Sequence, residues 1–401
     1  MKCGFPPDFL WGSSISSYQT EGQNFTADWY RWEQTRNLMP AGDACRHYHL
    51  FDQDFALARS LSQKSIRLSL EWARICPENR TFSQKAIEHY RQVFSSLKRH
   101  NLIPLVTLHH FTNPAWFIEQ GGWQSARNID FFLKYVITAV KELGETIDYW
   151  IVFNEPLVYI YNGFIQGIWP PGVSSLRVAK GVYNNLLSAY ITAYQEIKRI
   201  KPSSLVSIAK HVRVFDPCRY TGVGLTHLFA GLRSYFFNYR FLDACMKKNA
   251  LDFLGVNYYC KEYVRPALSF FGKECRLAHH PERKNTLGWR VSAEGFLKIL
   301  MCVYRRYTLP LIITENGTTE TDDALYERYL IEHVTAMAKG LANKADIRGY
   351  FWWSLLDNFE WDKGYAHRFG LIEVDFDNFQ RKIRPFARRY KQICEQNGIV
   401  S

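Results

Sequence analysis

Two glutamates in this chain stand where side chains do chemistry rather than packing. Glu155 ends the run Trp150-Ile151-Val152-Phe153-Asn154-Glu155-Pro156, and Glu315 falls in Leu311-Ile312-Ile313-Thr314-Glu315-Asn316-Gly317. Four β-favouring residues lead into the polar tip each time, and Pro or Gly follows to end the strand. A carboxylate at the carboxyl end of a buried parallel strand is costly to pack and well placed to react. Two such carboxylates, brought together by a closed barrel, are what cleavage of a glycosidic bond requires.

The elements that must bring them together are written in the rest of the chain. Short apolar runs at 9–13, 65–69, 103–108, 149–154, 206–210, 251–258, 311–314 and 347–354 predict strands. Helix-period segments lie between them. From 85 to 99, Ile87, Tyr90, Val93, Phe94 and Leu97 recur at i, i+3, i+6, i+7 and i+10, the spacing of one buried helix face. Segments 131–143 and 182–200 behave alike. Strands alternating with helices predict an α/β fold, a (β/α)8 TIM barrel forming a single domain over 1–401, rather than a doubly wound sheet. No G-x-G-x-x-G follows the first strand and no P-loop is present, which argues against a nucleotide-binding domain.

In such a barrel the active residues come from the carboxyl ends of several strands. Those ends read Gln19 after the first, Arg67 in the second, His109-His110 after the third and Asn154-Glu155 at the fourth. Asn257 and Tyr259 follow at the sixth, Glu315 at the seventh, and Trp352-Trp353 at the eighth, with Glu360-Trp361 beyond. The fifth contributes nothing to this reading. Two histidines and scattered acids lack a ligand spacing such as H-E-x-x-H, and G-x-S-x-G is absent, so neither a metal centre nor a serine nucleophile is expected.

Taken in order, the motifs resemble family 1 of the glycoside hydrolases, the β-glucosidase and β-galactosidase family, essentially end to end. The matching segments are Phe9-Leu10-Trp11-Gly12-Ser13, Ser17-Tyr18-Gln19-Thr20-Glu21-Gly22 and Ile66-Arg67-Leu68-Ser69-Leu70-Glu71-Trp72-Ala73-Arg74. Gly121-Gly122-Trp123, Phe153-Asn154-Glu155-Pro156, Asn257-Tyr258-Tyr259 and Thr314-Glu315-Asn316-Gly317 follow, then Trp353-Ser354-Leu355-Leu356-Asp357-Asn358-Phe359-Glu360-Trp361. The resemblance implies a retaining β-glycosidase that removes a terminal β-D-glucosyl, galactosyl or fucosyl residue from a neutral glycoside, without cofactor. It implies Glu315 as nucleophile and Glu155 as general acid/base, with Arg67 and Tyr259 holding Glu315 ionised. Asn154 would bond the sugar 2-OH. Gln19, His110, Asn257, Glu360 and Trp361 would meet the rest of the sugar, and Trp353 would stack beneath its ring. In this scheme Arg67 lowers the pKa of Glu315, and the Glu315 anion raises that of Glu155.

Departures from the family pattern are local. Phe111 stands where a Trp is usual, Arg46 where Asp is more common, and the short chain implies trimmed loops after Tyr259 and Gly317. The aglycone side would be built near Phe164, Trp169 and Thr318. Two alternatives remain. A non-catalytic sugar-binding homologue would not need both acids together with Arg67 and Tyr259. A 6-phospho-β-glycosidase would set Glu360 against a phosphate, a like-charge contact.

Charge and cysteine content bound the partners and the compartment. There are 50 Lys and Arg against 38 Asp and Glu, a net charge of +12. The densest basic cluster, Arg381, Lys382, Arg384, Arg388, Arg389 and Lys391, reads as the solvated face of a terminal helix, with no nucleic-acid-binding motif around it. No nucleic-acid or membrane partner is expected. Nine scattered cysteines without C-x-x-C predict reduced thiols in a cytoplasmic protein. No apolar signal segment opens the chain, and no run reaches the roughly 18 residues of a membrane span.

Overall fold

The computed structural model describes residues 3–218, 223–267, 273–275 and 280–399. Its centre is a closed barrel of eight parallel strands. In chain order these are β1 Leu10–Ser14, β2 Ser65–Ser69, β3 Ile103–His109, β4 Tyr149–Asn154, β5 Leu205–His211, β6 Leu254–Tyr258, β7 Leu311–Asn316 and β8 Ile347–Trp353. Each strand pairs with its sequence neighbours, and β8 closes on β1. Parallel strands covered on both faces read as continuous apolar runs, which is why they stood out in the sequence.

The second and fourth strands keep the expected limits, the others shift at one or both ends, and two of these shifts have a clear cause or consequence. The sixth strand begins at Leu254 rather than 251, because Asp252 turns out of the barrel. Its carboxylate accepts from the Tyr194 hydroxyl, the Lys198 ammonium and the Val206 backbone N–H, partners a strand interior does not offer. The seventh strand runs on to Asn316, so Glu315 lies within it and is the register partner of Asn257 on β6.

The helices form an outer layer through their buried stripes. Gln84–Arg99 buries Ile87, Tyr90, Val93, Phe94 and Leu97, and the Ser83 hydroxyl caps it by accepting from Ala86 N–H at 3.2 Å. Ile129–Leu143 and Leu176–Ile200 extend the expected helices toward their N-termini. Most tryptophans serve the core: Trp11, Trp29, Trp72, Trp123, Trp150 and Trp352 are fully buried. No helix of the described residues is long and apolar enough to cross a membrane.

A three-stranded ribbon leaves the barrel beyond β5 and β6. It consists of Val214–Pro217, Lys261–Arg265 and Lys273–Glu274, with Lys261–Arg265 in the middle. Its two outer strands correct the cysteine expectation, since Cys218 and Cys275 are joined as a disulfide across a sequence separation of 57. The central strand aligns them: Cys218 N–H bonds Val264 O at 2.8 Å and Cys275 N–H bonds Tyr263 O at 2.7 Å. Cys45, Cys76, Cys245, Cys260, Cys302 and Cys394 are free thiols. The trimming expected after Tyr259 falls partly on residues outside the described set.

The basic cluster near the C-terminus is also more structural than a solvated face. The terminal helix is Pro385–Gln396, so Arg381 and Arg384 precede it. The Arg381 side chain is 1% exposed and pairs with fully buried Asp54 at 2.9 Å, while Arg384 pairs with Asp357 at 2.7 Å.

Candidate active site

Arg67 is the buried hub at the carboxyl end of the barrel. From β2 its Nη1 bonds Glu315 Oε1, its Nη2 bonds Asn154 Oδ1 at 2.7 Å, and its Nε bonds the Thr107 hydroxyl at 3.2 Å. The Tyr259 hydroxyl donates to the other oxygen of Glu315, Oε2. A permanent cation and a phenol therefore fix the Glu315 carboxyl in one plane. Asn257 then links the two acids: its amide donates to Glu155 Oε1 at 2.8 Å and to Asn154 Oδ1 at 3.1 Å, and its carbonyl accepts from Thr314 at 2.6 Å. Glu155 from β4 and Glu315 from β7 thus meet across shared partners, and both are buried.

Asn154 Oδ1 already takes two donors, so its Nδ2 points the other way and donates to His110 Nε2 at 3.2 Å. A neutral imidazole accepting at Nε2 carries its proton on Nδ1. Burial and the Arg67 charge hold the His110 pKa well below the ordinary value, so the ring stays neutral. It lies nearly parallel to Trp353 and Trp361, with ring centroids 5.8 and 6.4 Å away. Gln19 donates to Phe359 O at 2.8 Å and to Glu360 Oε2 at 3.4 Å, after its own carbonyl has accepted from Ser16. Every residue expected at the site is therefore at this end of the barrel.

The backbone is shaped around it. Phe111, Glu155 and Trp361 all have left-handed φ, at 72°, 44° and 51°, a conformation that non-glycine residues hold only where surroundings enforce it. Phe111 packs its ring on Trp169 and Trp361 with centroids 5.1 and 5.4 Å away, filling the place expected to be loose. A Cβ on Gly317 would lie 2.0 Å from Trp353 O, so only glycine lets β7 and β8 approach there. Of the expected aglycone residues, Phe164 and Thr318 are fully buried, while Trp169 keeps 6% exposure and donates to Asp362 at 2.9 Å.

The electrostatics reverse one expectation. Arg67 does pull the Glu315 pKa down, but burial is the larger effect and raises it to about 7, helped by the Glu155 charge. Glu155 is also desolvated, yet its neighbours His211, Asn257 and Lys210 bring it below its ordinary value. Carboxyls this close titrate as a pair rather than singly. Glu360 is pushed up to about 8, first by burial and then by Asp362, Glu315 and Glu155. A raised pKa alone does not mark the site, because Asp28, Glu33 and Glu71 also reach about 7. Those three lie in separate polar networks; the paired geometry is what distinguishes Glu155 and Glu315.

Three neighbours of Glu155 escaped the sequence reading: Lys210, His211 and Arg213. His211 is a polar residue at the carboxyl end of β5, the signal used for every other strand, and the predicted strand stopped one residue short of it. Among the described residues, the one grouping with metal-ligand side chains is Cys218, Cys275 and His280 on the ribbon, where the two sulphurs are already bonded to each other.

Known proteins share this architecture over its whole length. A β-glycosidase from Pyrococcus horikoshii superposes with a TM-score of 0.95 at 35% identity, covering 100% of this chain and 97% of that one. A β-glucosidase from Thermotoga maritima in complex with deoxynojirimycin gives a TM-score of 0.93 at 27% identity, with 100% of both chains covered. β-Glucosidase A of Acetivibrio thermocellus is 28% identical over 447 residues, spanning 99% of this chain and all of that protein. The family model described as glycosyl hydrolase family 1 matches residues 1–225 and 230–399. With both acids, their arginine and their tyrosine joined in one network at the barrel mouth, the chain belongs to glycosyl hydrolase family 1.

Proposed function

We propose that residues 1–401 form one catalytic domain, a retaining β-glycosidase that hydrolyses the terminal β-glucosyl residue, or a galactosyl or fucosyl residue, of a neutral small-molecule glycoside. The observation that carries this reading is Glu315 held on one oxygen by Arg67 and on the other by Tyr259, beside Glu155. A nucleophilic carboxylate needs that fixed orientation, and a second carboxyl nearby supplies the proton. The similarity to proteins named β-glucosidases supports the sugar class.

In the reactive form the shared proton is on Glu155 and the charge on Glu315. The Glu315 oxygen attacks the anomeric carbon as Glu155 gives its proton to the departing oxygen, and the carbon–aglycone bond breaks. Esterification removes the Glu315 charge. Glu155, now a carboxylate, takes a proton from water as the water oxygen attacks the same carbon and the ester bond breaks. Two displacements at one centre retain configuration. In this reading Asn154 and His110, joined by a hydrogen bond, meet sugar hydroxyls, and no cofactor enters these steps.

The test is Glu315→Gln assayed on a nitrophenyl β-glucoside. Turnover should fall ~10⁴-fold or more, with the circular dichroism spectrum unchanged. Proton NMR of the wild-type reaction should show the β-anomer first. Near-normal turnover by the variant, or an initial α-anomer, would refute the reading.

A further inference from the structure

Arg213 sits just past β5 with its backbone clamped by Asn238, which accepts from Arg213 N–H at 2.9 Å and donates to Arg213 O at 2.8 Å. Its Nε donates to His211 Nε2 at 3.3 Å. A guanidinium has no lone pair to offer, so His211 Nε2 must be the acceptor. The one proton of the neutral imidazole is then on Nδ1. That nitrogen is buried, makes no regular hydrogen bond, and faces Glu155 Oε2 at 3.5 Å, the outer limit of hydrogen-bond reach. The ring cannot easily turn away, because Phe237 and Tyr259 pack edge-on against it at 5.5 and 5.8 Å. Lys210 fixes the backbone beneath by donating to His211 O at 2.5 Å.

We infer that His211, oriented by Arg213, is a positioning residue for the acid/base carboxyl, holding Glu155 Oε2 by an Nδ1–H and setting how readily Glu155 yields its proton. The inference rests on the reading of Glu155 as that acid/base. Asn257 already donates to Oε1, so His211 supplies the complementary donor on the second oxygen. Donors on both oxygens favour the ionised carboxylate, and the pKa of Glu155 is indeed held below its ordinary value. Burial lowers the His211 pKa, which favours the neutral ring whose Nδ1 faces Glu155. The other titratable groups that interact with Glu155 are Lys210 and Arg213 from the same strand end, Glu315, Tyr259 and Cys260 across the site, and Glu360 beyond β8. A side-chain change at His211 leaves the Lys210 bond to its backbone carbonyl in place but removes the acceptor of Arg213 Nε, which is why the Phe and Asn variants are compared with each other.

Three variants of the full chain test this. Glu155→Gln, assayed on a dinitrophenyl β-glucoside with and without azide, identifies which limb of the pH profile of kcat/KM belongs to Glu155. In His211→Phe the donor is gone, and that limb should move to higher pH by roughly half a unit or more. In His211→Asn the side-chain amide restores a donor near the Nδ1 position, and the limb should return toward the wild-type pH. An unmoved limb in His211→Phe, an equal shift in both variants, or a rise in KM alone would overturn the inference. Should His211→Phe not fold, Arg213→Met frees the tautomer and should move the same limb in the same direction; no movement overturns it. If instead Glu155→Gln keeps wild-type activity and both limbs, the underlying acid/base reading fails, which is a separate outcome.

Discussion

At the residue scale, the acids around Glu360 bear on the choice between neutral and phosphorylated sugars. It lies within bonding distance of Gln19 and is pushed up to about 8 by burial and by neighbouring acids. Whether protonated or ionised, it can bond a neutral hydroxyl. A 6-phosphate brings further negative charge into a site already holding Glu155, Glu315 and Asp362, which raises the cost of binding. The net charge of +12 steers an anion only toward the surface. A nitrophenyl β-glucoside is expected to have the higher kcat/KM, by roughly 100-fold or more, than its 6-phosphate. A higher specificity constant for the phosphorylated substrate in parallel assays would reject this account of Glu360.

At the element scale, helix Asp323–Ala342 carries a histidine whose titration should be readable in stability. His333 is fully buried, shares a hydrogen bond with Tyr329 O at 2.8 Å, and burial lowers its pKa to about 3. The unfolded chain takes up a proton near pH 6.5 while the folded form does not. The stability tied to His333 is therefore intact above about pH 6.5 and is lost as pH falls toward the folded value. His333→Phe has no such dependence. Its stability relative to the wild type should rise by about 2 kcal/mol between pH 7 and pH 5, measured by urea unfolding. A pH-independent difference would show that His333 titrates normally.

At the scale of the whole molecule, the barrel is tied to the chain terminus by buried ion pairs. Asp54 on helix His47–Ser60 holds Arg381 at 2.9 Å and His47 at 2.8 Å, and it is fully buried. Removing one partner of a buried pair leaves the other charge without compensation, typically at about 3–5 kcal/mol. Asp54→Ala should accordingly lower Tm by about 5 °C while leaving the site residues in place. A change of less than about 1 °C in calorimetry would mean that the pair contributes only what a surface pair does.

Much of this was legible from local sequence, and the exceptions have a common cause. Strand limits at 65–69 and 149–154 agree with β2 and β4, because a buried parallel strand declares itself by unbroken apolar character. The polar strand ends marked Arg67, Asn154, Glu155, Asn257, Tyr259 and Glu315, all of which the barrel gathers into one network. Burial and partnership across the fold are not written in local pattern. The terminal cluster looked solvated until Arg381 met Asp54, 327 positions away. The Cys218–Cys275 link depends on both residues flanking one ribbon strand. The sign of the Glu155 and Glu315 shifts likewise came from desolvation and from His211 and Lys210, not from Arg67 alone. The sequence by itself determined which side chains stand at the strand ends, since period and residue type are local properties. Only the tertiary structure decided their protonation and their partners, because solvation and Coulomb energies depend on distances that chain folding alone sets.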